Sequence, residues 1–548
     1  MKKKFIASAL LAAMLVSTTF AGCSGDGSSS TASTSGDSST ASSAASDEGD
    51  ATGSTSPTGA AIPSEMTSLT VELFDRNNIP ESQGTLEDNQ WTNWIKEEMK
   101  KLNVDVTFVP VPRSEETTKL NVLMASGSAP DISYTYDHDL FAQYAMDGGL
   151  YDLGGLMDTY GKDIVDIFEE KGVLEYGKIE DTLYAIPAYR SNTAHYMAFI
   201  RKDWLDKLNL SAPTTKEELV EVLKAFKEMD SSIYPWGYFP SDPGDFSAHN
   251  AYLYDAMYSF FTHSEEELYT TPEVLRDGFK EFMQWLNMLY SEGLIDPEFA
   301  TKTTKELRNT DIMNGKVGFF MEGAWVPYGA DSPYRILADE GSDIEYIPIE
   351  VFENADGHYY KTNYPPTGLY LFVPKTAKSP EAAVTYLNWM ADYDVAFTLK
   401  FGNEGEQYEM QDGIPVVIDA TERQNTFGYI AGDINLLFNG YHPDTPEEII
   451  NYDYLNNAGE NLVDFAIESN TLAVKDAVPQ VQFNKEIEAE KTYGAELTNT
   501  YNEYWTKLIT STDFETDYAA FEKEIQSKGI EEIKAERTEY YNTYVKGE

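Results

Sequence analysis

Apolar positions along residues 68–136 switch between two repeats. SLTVELF (68–74) and VDVTFVPV (104–111) have the look of strands, and QWTNWIKEEMKKL (90–102) between them reads as a helix. KLNVLMASGSAPDISYTY (119–136) continues with a helix, a stop at Gly127, a turn at Pro130–Asp131 and a further strand. Strand–helix alternation of this kind predicts an α/β lobe with a mainly parallel sheet.

Further along, DTLYAIPAYRSNTAHYMAFIRKDWL (181–205) gives two extended segments and then a helix. APTTKEELVEVLKAFKEMD carries the clearest helical pattern. Thr215 and Glu218 form a capping box, and Leu219, Val222, Leu223 and Phe226 share one face. TPEVLRDGFKEFMQWLNMLYSEGLIDPEF (271–299) reads as one long amphipathic helix stopped near Gly293. KVGFFMEGAW (316–325) and GLYLFVPK (368–375) read as strands, and Ser379 with Pro380 starts a helix through SPEAAVTYLNWMADY. The last ninety or so residues look mainly helical, rich in aromatic and acidic side chains.

The first residues follow a different logic. Lys2, Lys3 and Lys4 precede an apolar run from Phe5 to Val16, and small residues lead to Cys23, the one cysteine in 548 residues. A basic start, a short apolar run and a small-residue cleavage site predict an export signal over 1–22. FAGC resembles the bacterial lipobox, with Phe20 where that motif usually has Leu, so Cys23 is expected to be acylated. The alternative is a secretory signal with an incidental cysteine. Residues 23–65, mostly Ser, Thr, Gly, Ala and Asp, cannot bury enough apolar surface to offset ordering entropy and are expected to form a disordered tether.

Composition narrows the classes. Beyond the tether remain roughly 490 residues, too many for one ordinary core, so two or more lobes are expected. A formal charge of −52 opposes phosphate backbones, and nucleic acid is not expected as a partner. With Cys23 acylated no disulfide can form. Tyrosines number 37 and tryptophans 8, enough to fill cores and also to line a cleft.

In order along the chain, ASGSAPDI, LYAIPAYRSNTAHYMAFIRKDWLDKLNLSAPTTKEEL, LYSEGLIDPEF, GKVGFFMEGAW and FGNEGEQYEMQDG (401–413) resemble the extracellular solute-binding proteins, family 1, of ABC importers, and among them the LplA-like carbohydrate-binding lipoproteins. The resemblance covers about 66–548. It implies a two-lobed, type II periplasmic-binding-protein-like α/β fold, with hinge crossings and a helical C-terminal part. The first lobe is then expected over 66–188 and 368–415, the second over 189–367 and 416–548. The implied crossings lie near Pro187–Arg190, near Tyr364–Tyr370 and after about 400. Implied too are an oligosaccharide ligand, ABC permease subunits as partners, a monomer, and a lipid-anchored place on the extracellular side of the cell membrane. Relatives often carry a calcium-loop-like insert after the helix ending here at Met229–Asp230. MDSSIYPWGYFP lacks its alternating oxygen ligands, so no metal is expected, and no cofactor.

Sugar recognition needs flat apolar faces and planar polar groups. Trp236, in a Pro–Trp–Gly setting beside Tyr234, Tyr238 and Phe239, and Trp325, at the end of a strand, are the stacking candidates; a core position is the alternative for Trp325. Arg190 at the first crossing and Arg76 after the first strand can bind hydroxyls or make structural ion pairs. Asp137 and His138 close a strand at the sheet edge where open α/β folds bind ligands, although Asp137 can also stabilise a turn. Glu322 in MEGAW and Tyr370 complete the set. A secreted glycoside hydrolase needs only two carboxylates at the right separation and stays the main competitor, followed by a peptide-binding or adhesion lipoprotein. No G-x-S-x-G, P-loop or H-E-x-x-H motif occurs, and the six histidines are scattered, so an enzyme is not expected.

Overall fold

The computed structural model describes residues 59–238, 253–302, 305–478 and 481–547. The expected signal peptide, Cys23, most of the tether, and Phe239 lie outside these. In chain order the principal strands are β1 (Thr67–Asp75), β2 (Val104–Pro112), β3 (Ser133–Thr135), β4 (Ala185–Arg190), β5 (Tyr196–Arg201), β6 (Tyr234–Trp236), β7 (Val317–Gly323), β8 (Tyr346–Ile349), β9 (Thr367–Phe372) and β10 (Phe438–Asn439). The helices used below are α1 (Gln90–Lys101), α2 (His138–Met146), α3 (Lys216–Met229), α4 (Phe279–Ser291), α5 (Pro380–Trp389), α6 (Glu488–Ile509), α7 (Phe514–Ser527) and α8 (Ile530–Tyr540). Among the described residues no helix is long and apolar enough to cross a membrane.

Two bodies form around separate sheets. In the first, β2 runs parallel to β1 from Thr67↔Val104 to Asp75↔Pro112, and β1 reaches the β3 segment through the parallel bridge Val71↔Ile132. Beyond that bridge β3 and β4 each lie antiparallel to β9, and β10 lies parallel to β4. The sheet is therefore mixed, a correction to the mainly parallel expectation. β9 arrives from the other body without a helical crossover, so nothing forces it to run with β3 and β4. The second sheet has the order β8-β5-β7-β6, with only β6 parallel to its neighbour.

Helix α1 shows why these segments fold as they do. Trp91, Ile95 and Met99, four residues apart, fall on one face and are buried in the first core with Val71, Leu73 and Ile132. Each such burial stabilises by about 1.5–3 kcal/mol. Asn89 opens the helix: its Oδ1 accepts the N–H of Trp91 at 2.9 Å and of Thr92 at 3.1 Å, while the Thr92 hydroxyl accepts the Asn89 N–H at 3.1 Å. In the second body, Leu219, Val222, Leu223 and Phe226 of α3 meet Phe282, Leu286 and Leu289 of α4. Leu497 and Trp505 of α6 and Phe521 of α7 join this core, so the C-terminal helices belong to the second body.

The predicted helix over 271–299 begins later, at Phe279. Gly278 before it has φ 100°, and a Cβ there would sit 2.0 Å from the Phe260 carbonyl, so the chain bends at that point. At α5, Pro380 occupies the first turn, but Ser379 makes no side-chain cap.

The chain passes between the bodies after β4, before β9 and after β10. These crossings lie side by side: Arg190 N–H donates to Pro366 O at 2.9 Å, Ser191 N–H to Asn439 O at 3.3 Å, and Tyr364 N–H to Thr193 O at 2.9 Å. The expected boundary at 415/416 is corrected. Phe427, Ile430, Ile434, Leu437 and Phe438 all pack in the first core, so the chain stays there until β10. Beyond that crossing, Phe465, Ala466 and Ala473 pack with Phe199, Phe320 and Tyr346 of the second sheet.

Candidate functional site

Where β3 ends, the chain turns through Tyr136 and Asp137 into α2. Asp137 caps that helix, its Oδ1 accepting the N–H of Asp139 at 2.9 Å and of Leu140 at 3.1 Å. His138 is held by aromatic rings, with Tyr370 at 5.5 Å and Phe141 at 6.1 Å, both edge-on. Its Nδ1 lies 3.3 Å from Asp139 Oδ1, and its buried Nε2 has no hydrogen-bond partner. An unpaired buried nitrogen is costly unless something else satisfies it.

The crossings supply the floor. The Arg190 guanidinium carbon lies 4.2 Å from the centre of the Tyr364 ring, and its Nε donates to Thr367 O at 3.3 Å. Burial pulls its pKa below the ordinary arginine value. His195 also packs against Tyr364, its ring tilted at 39° with centres 4.0 Å apart, and Tyr196 lies 4.1 Å from the same imidazole. Burial, and then the Arg190 charge, hold His195 down to about 4, so it stays neutral and leaves Arg190 as the cation of this layer.

From the second body come Gln482, Phe483, Lys485 and Arg537. Gln482 Nε2 donates across to Tyr370 Oη at 2.8 Å, and Lys485 pairs with Glu180 of the first body at 2.8 Å. Arg537 lies 5.1 Å from the Phe483 ring centre and is paired with Glu490, while Lys491 is paired with Glu486 at 2.6 Å. Together these residues enclose a cleft of about 850 Å³ between the bodies. Its walls mix ring faces with planar polar groups, the combination that holds a sugar without covalent chemistry.

Of the residues singled out from sequence, Asp137, His138, Arg190 and Tyr370 are brought together on this cleft. Tyr370 is 2% exposed and offers an edge of its ring and its hydroxyl. Four others are not in its lining. Trp236 is a correction: it lies in an edge strand, not a loop, at 1% exposure, packed edge-on against Phe319 at 4.8 Å and Trp285 at 5.6 Å. Tyr238 beside it is equally buried and accepts a hydrogen bond from Trp505 Nε1 at 3.2 Å, and Lys302 covers Tyr234 at 4.0 Å. Glu322 is buried and bound by Arg308 and by the Gly323 N–H, so its carboxylate is taken up within the second body. Arg76 makes a two-pronged pair with Asp433, Nε to Oδ2 at 2.7 Å and Nη2 to Oδ1 at 2.8 Å, which is the structural alternative weighed for it. Trp325 is neither core nor cleft lining: its indole is 56% exposed beside a short 3-10 turn.

Several lining residues were not singled out. Tyr364 had a signal, since it precedes Pro365 and Pro366 at the expected return crossing. Gln482, Phe483, Lys485 and Arg537 had none. An amphipathic C-terminal helix looks the same in sequence whether its free face meets water or a cleft.

The chain matches the bacterial extracellular solute-binding protein family over residues 83–396, more than half its length, and belongs to that family. Among curated relatives, lipoprotein LipO of Bacillus subtilis (strain 168) is 25% identical over 328 residues, covering 57% of this chain and 62% of LipO. The polygalacturonan/rhamnogalacturonan-binding protein YtcQ of the same organism is 26% identical over 333 residues, covering 57% of this chain and 63% of YtcQ. In both, the matched part spans less than two thirds of the relative. An extracellular solute-binding protein from Bifidobacterium longum subsp. infantis, known from its crystal structure, shares the two-lobed fold with a TM-score of 0.66. It is 21% identical, over 90% of this chain and 100% of that one.

Proposed function

We propose that this chain is the substrate-binding component of an ABC importer, which captures an oligosaccharide between its two bodies and passes it unchanged to a membrane permease. The observation that carries the reading is the cleft itself. Aromatic rings (Tyr136, Tyr364, Tyr370, Phe483) and planar polar groups (Asp137, His138, Arg190, Gln482) from both bodies converge on one space of about 850 Å³. Contacts to both bodies favour the conformation in which both reach the ligand, so binding drives closure. The fold supports this, because short adjacent crossings let two packed bodies rotate as units. YtcQ, named for binding polygalacturonan and rhamnogalacturonan, supports a saccharide as the cargo.

The test is calorimetric titration with a panel of oligosaccharides, followed by mass analysis of the recovered sugar. Saturable binding with intact sugar supports the reading. Shortened products would make the protein a hydrolase, and binding of peptides in place of sugars would make it a peptide receptor.

The same reading places the protein outside the cell as a monomer, anchored through lipid on Cys23, with the Ser- and Thr-rich residues after it as a leash. Two or more acyl chains, at about 0.8 kcal/mol per buried CH₂, give stable anchoring. Cys23→Ser is expected to release the protein into the medium and to abolish incorporation of labelled palmitate. A variant that stays membrane-bound and labelled would contradict the anchor.

A further inference from the structure

A protein of net charge −52 has few reasons to leave an arginine without a carboxylate. Of its nine arginines, Arg76, Arg113, Arg201, Arg308, Arg335 and Arg537 pair with acidic side chains. Among the described residues Arg190, Arg276 and Arg423 make no ion pair. Arg423 lies over Phe427 at 5.5 Å, donates to Lys400 O, and lines neither the cleft nor the second cavity described next. Arg190 and Arg276 are different.

Arg276 lines a second cavity, of about 530 Å³, in the second body. Val481, Phe483, Glu490 and Arg537 wall both this cavity and the cleft that holds Arg190, so the two are neighbouring compartments. The arginines are held alike. Each spends its Nε on a backbone carbonyl, Arg190 on Thr367 O at 3.3 Å and Arg276 on Thr271 O at 3.2 Å. Each keeps its guanidinium near an aromatic ring, Tyr364 at 4.2 Å and Phe261 at 5.5 Å. Neither guanidinium has a carboxylate partner among the described residues, although the Tyr258 hydroxyl lies within reach of Arg276. Arg276 is only 7% exposed, and its Nη1 is buried with no hydrogen-bond partner. A buried, unpaired guanidinium costs several kcal/mol and is unexpected unless a ligand completes it.

We infer that the ligand is an acidic oligosaccharide, a chain of uronic-acid units, with one carboxylate met by the Arg190 fork and another by the Arg276 fork. This rests on the saccharide reading above and specifies its class. A planar fork matches a carboxylate in two parallel hydrogen bonds, which a hydroxyl cannot reproduce. The other lysine and arginine side chains of the cleft are already matched within the protein: Lys485 by Glu180, Lys491 by Glu486, Arg537 by Glu490. Glu273 also lines the second cavity, so a ligand carboxylate is tolerated there only where Arg276 meets it. The repulsive field of the whole chain is screened over about 8 Å at physiological ionic strength and does not decide events inside a cleft.

Oligouronates of two to six units are titrated against the parent chain beside their methyl esters, which keep the rings and remove the charge. The acids are expected to bind at least about tenfold more tightly than the esters, with the advantage growing once both cavities can be spanned. Arg190→Lys and Arg276→Gln are each expected to reduce the preference for acid over ester, while ester binding changes little. The ratio within each variant controls for any loss of folding. Esters that bind the parent as tightly as acids, or variants that keep the full preference, overturn the carboxylate inference and leave the saccharide reading standing. If neither acids, esters nor neutral oligosaccharides bind, the saccharide reading fails and this inference with it.

Discussion

Tyr370 is held on three sides: Phe141 stacks on it at 5.0 Å, His138 meets it edge-on at 5.5 Å, and Gln482 donates to its hydroxyl at 2.8 Å. A side chain so constrained forms a fixed part of the cleft wall. The two tryptophans raised from sequence separate in the same way, by surroundings. Trp236→Ala empties a site between Phe319, Trp285 and Phe352 and is expected to cost about 3–5 kcal/mol of stability. Trp325→Ala removes an exposed indole and is expected to stay within about 0.5 kcal/mol of the parent. Urea denaturation measures both, and equal losses would contradict the placement of Trp236 in the core. The Pro–Trp–Gly setting of Trp236 suggested a loop, because nothing local reveals that Trp236 N–H donates to Leu294 O and that the segment pairs with β7. Its partners lie tens of residues away.

Strands and crossings set the next scale. β1 carries Glu72 into the first core at 0% exposure, where its Oε2 accepts the Tyr134 N–H at 3.3 Å and its Oε1 has no partner. Burial pushes this carboxyl up to about 8, with the neighbouring Glu116 adding to the rise. Between about pH 4.5 and pH 8 the folded protein therefore holds a proton that the unfolded chain releases. Stability contributed by Glu72 is full below pH 4.5 and is lost as pH rises through 8, by on the order of a few kcal/mol. Asp255, pushed up to about 7 by burial, adds to that slope. His195, held at about 4, works oppositely: its contribution is full above about 6.5 and is lost as pH falls through 4. Glu72→Gln isolates one contribution. The difference in unfolding free energy between variant and parent is expected to move in favour of the variant from pH 5 to pH 8, and parallel curves would contradict it.

At the third crossing Gly440 has φ 126°, and a Cβ there would fall 2.1 Å from Ser191 Oγ, the group that accepts the Tyr441 N–H. Gly440→Ala is expected to cost about 1–3 kcal/mol in thermal or urea unfolding and to alter ligand affinity without touching the cleft. Unchanged stability and affinity would show that the crossing tolerates a side chain.

Elements of this size were the most legible in the sequence. Strong periodicity placed β1, β2, α1 and α3, because each buries one face and the pattern records it. The start of α4 was misplaced, since a bend at Gly278 is decided by contact with Phe260. The direction of β9 was hidden too, because periodicity says which face is buried and nothing about which way a strand runs. The site divides along the same line. Asp137 and His138 follow from their place after a strand, and Arg190 from its place at a crossing. The second-body wall, from Gln482 to Arg537, depends on how the C-terminal helices dock.

At the scale of the whole molecule, two cores built from different stretches of one chain meet through three adjacent crossings, a small apolar cluster of Phe401, Tyr408, Tyr441 and Ile449, and contacts over the cleft, Tyr370 with Gln482 and Lys485 with Glu180 among them. Such an arrangement resists deformation within each body and yields between them, which is what capture by closure requires. On the proposed reading the work done is binding, and selectivity comes from which groups both bodies can reach at once. The most direct test of this account is small-angle scattering of the tethered chain's folded part, titrated with oligosaccharides whose integrity is followed in the same samples. The account predicts a radius of gyration that contracts saturably with a bound sugar, which is recovered intact. Scattering that is unchanged while a sugar binds, or a sugar that comes back cleaved, would contradict it.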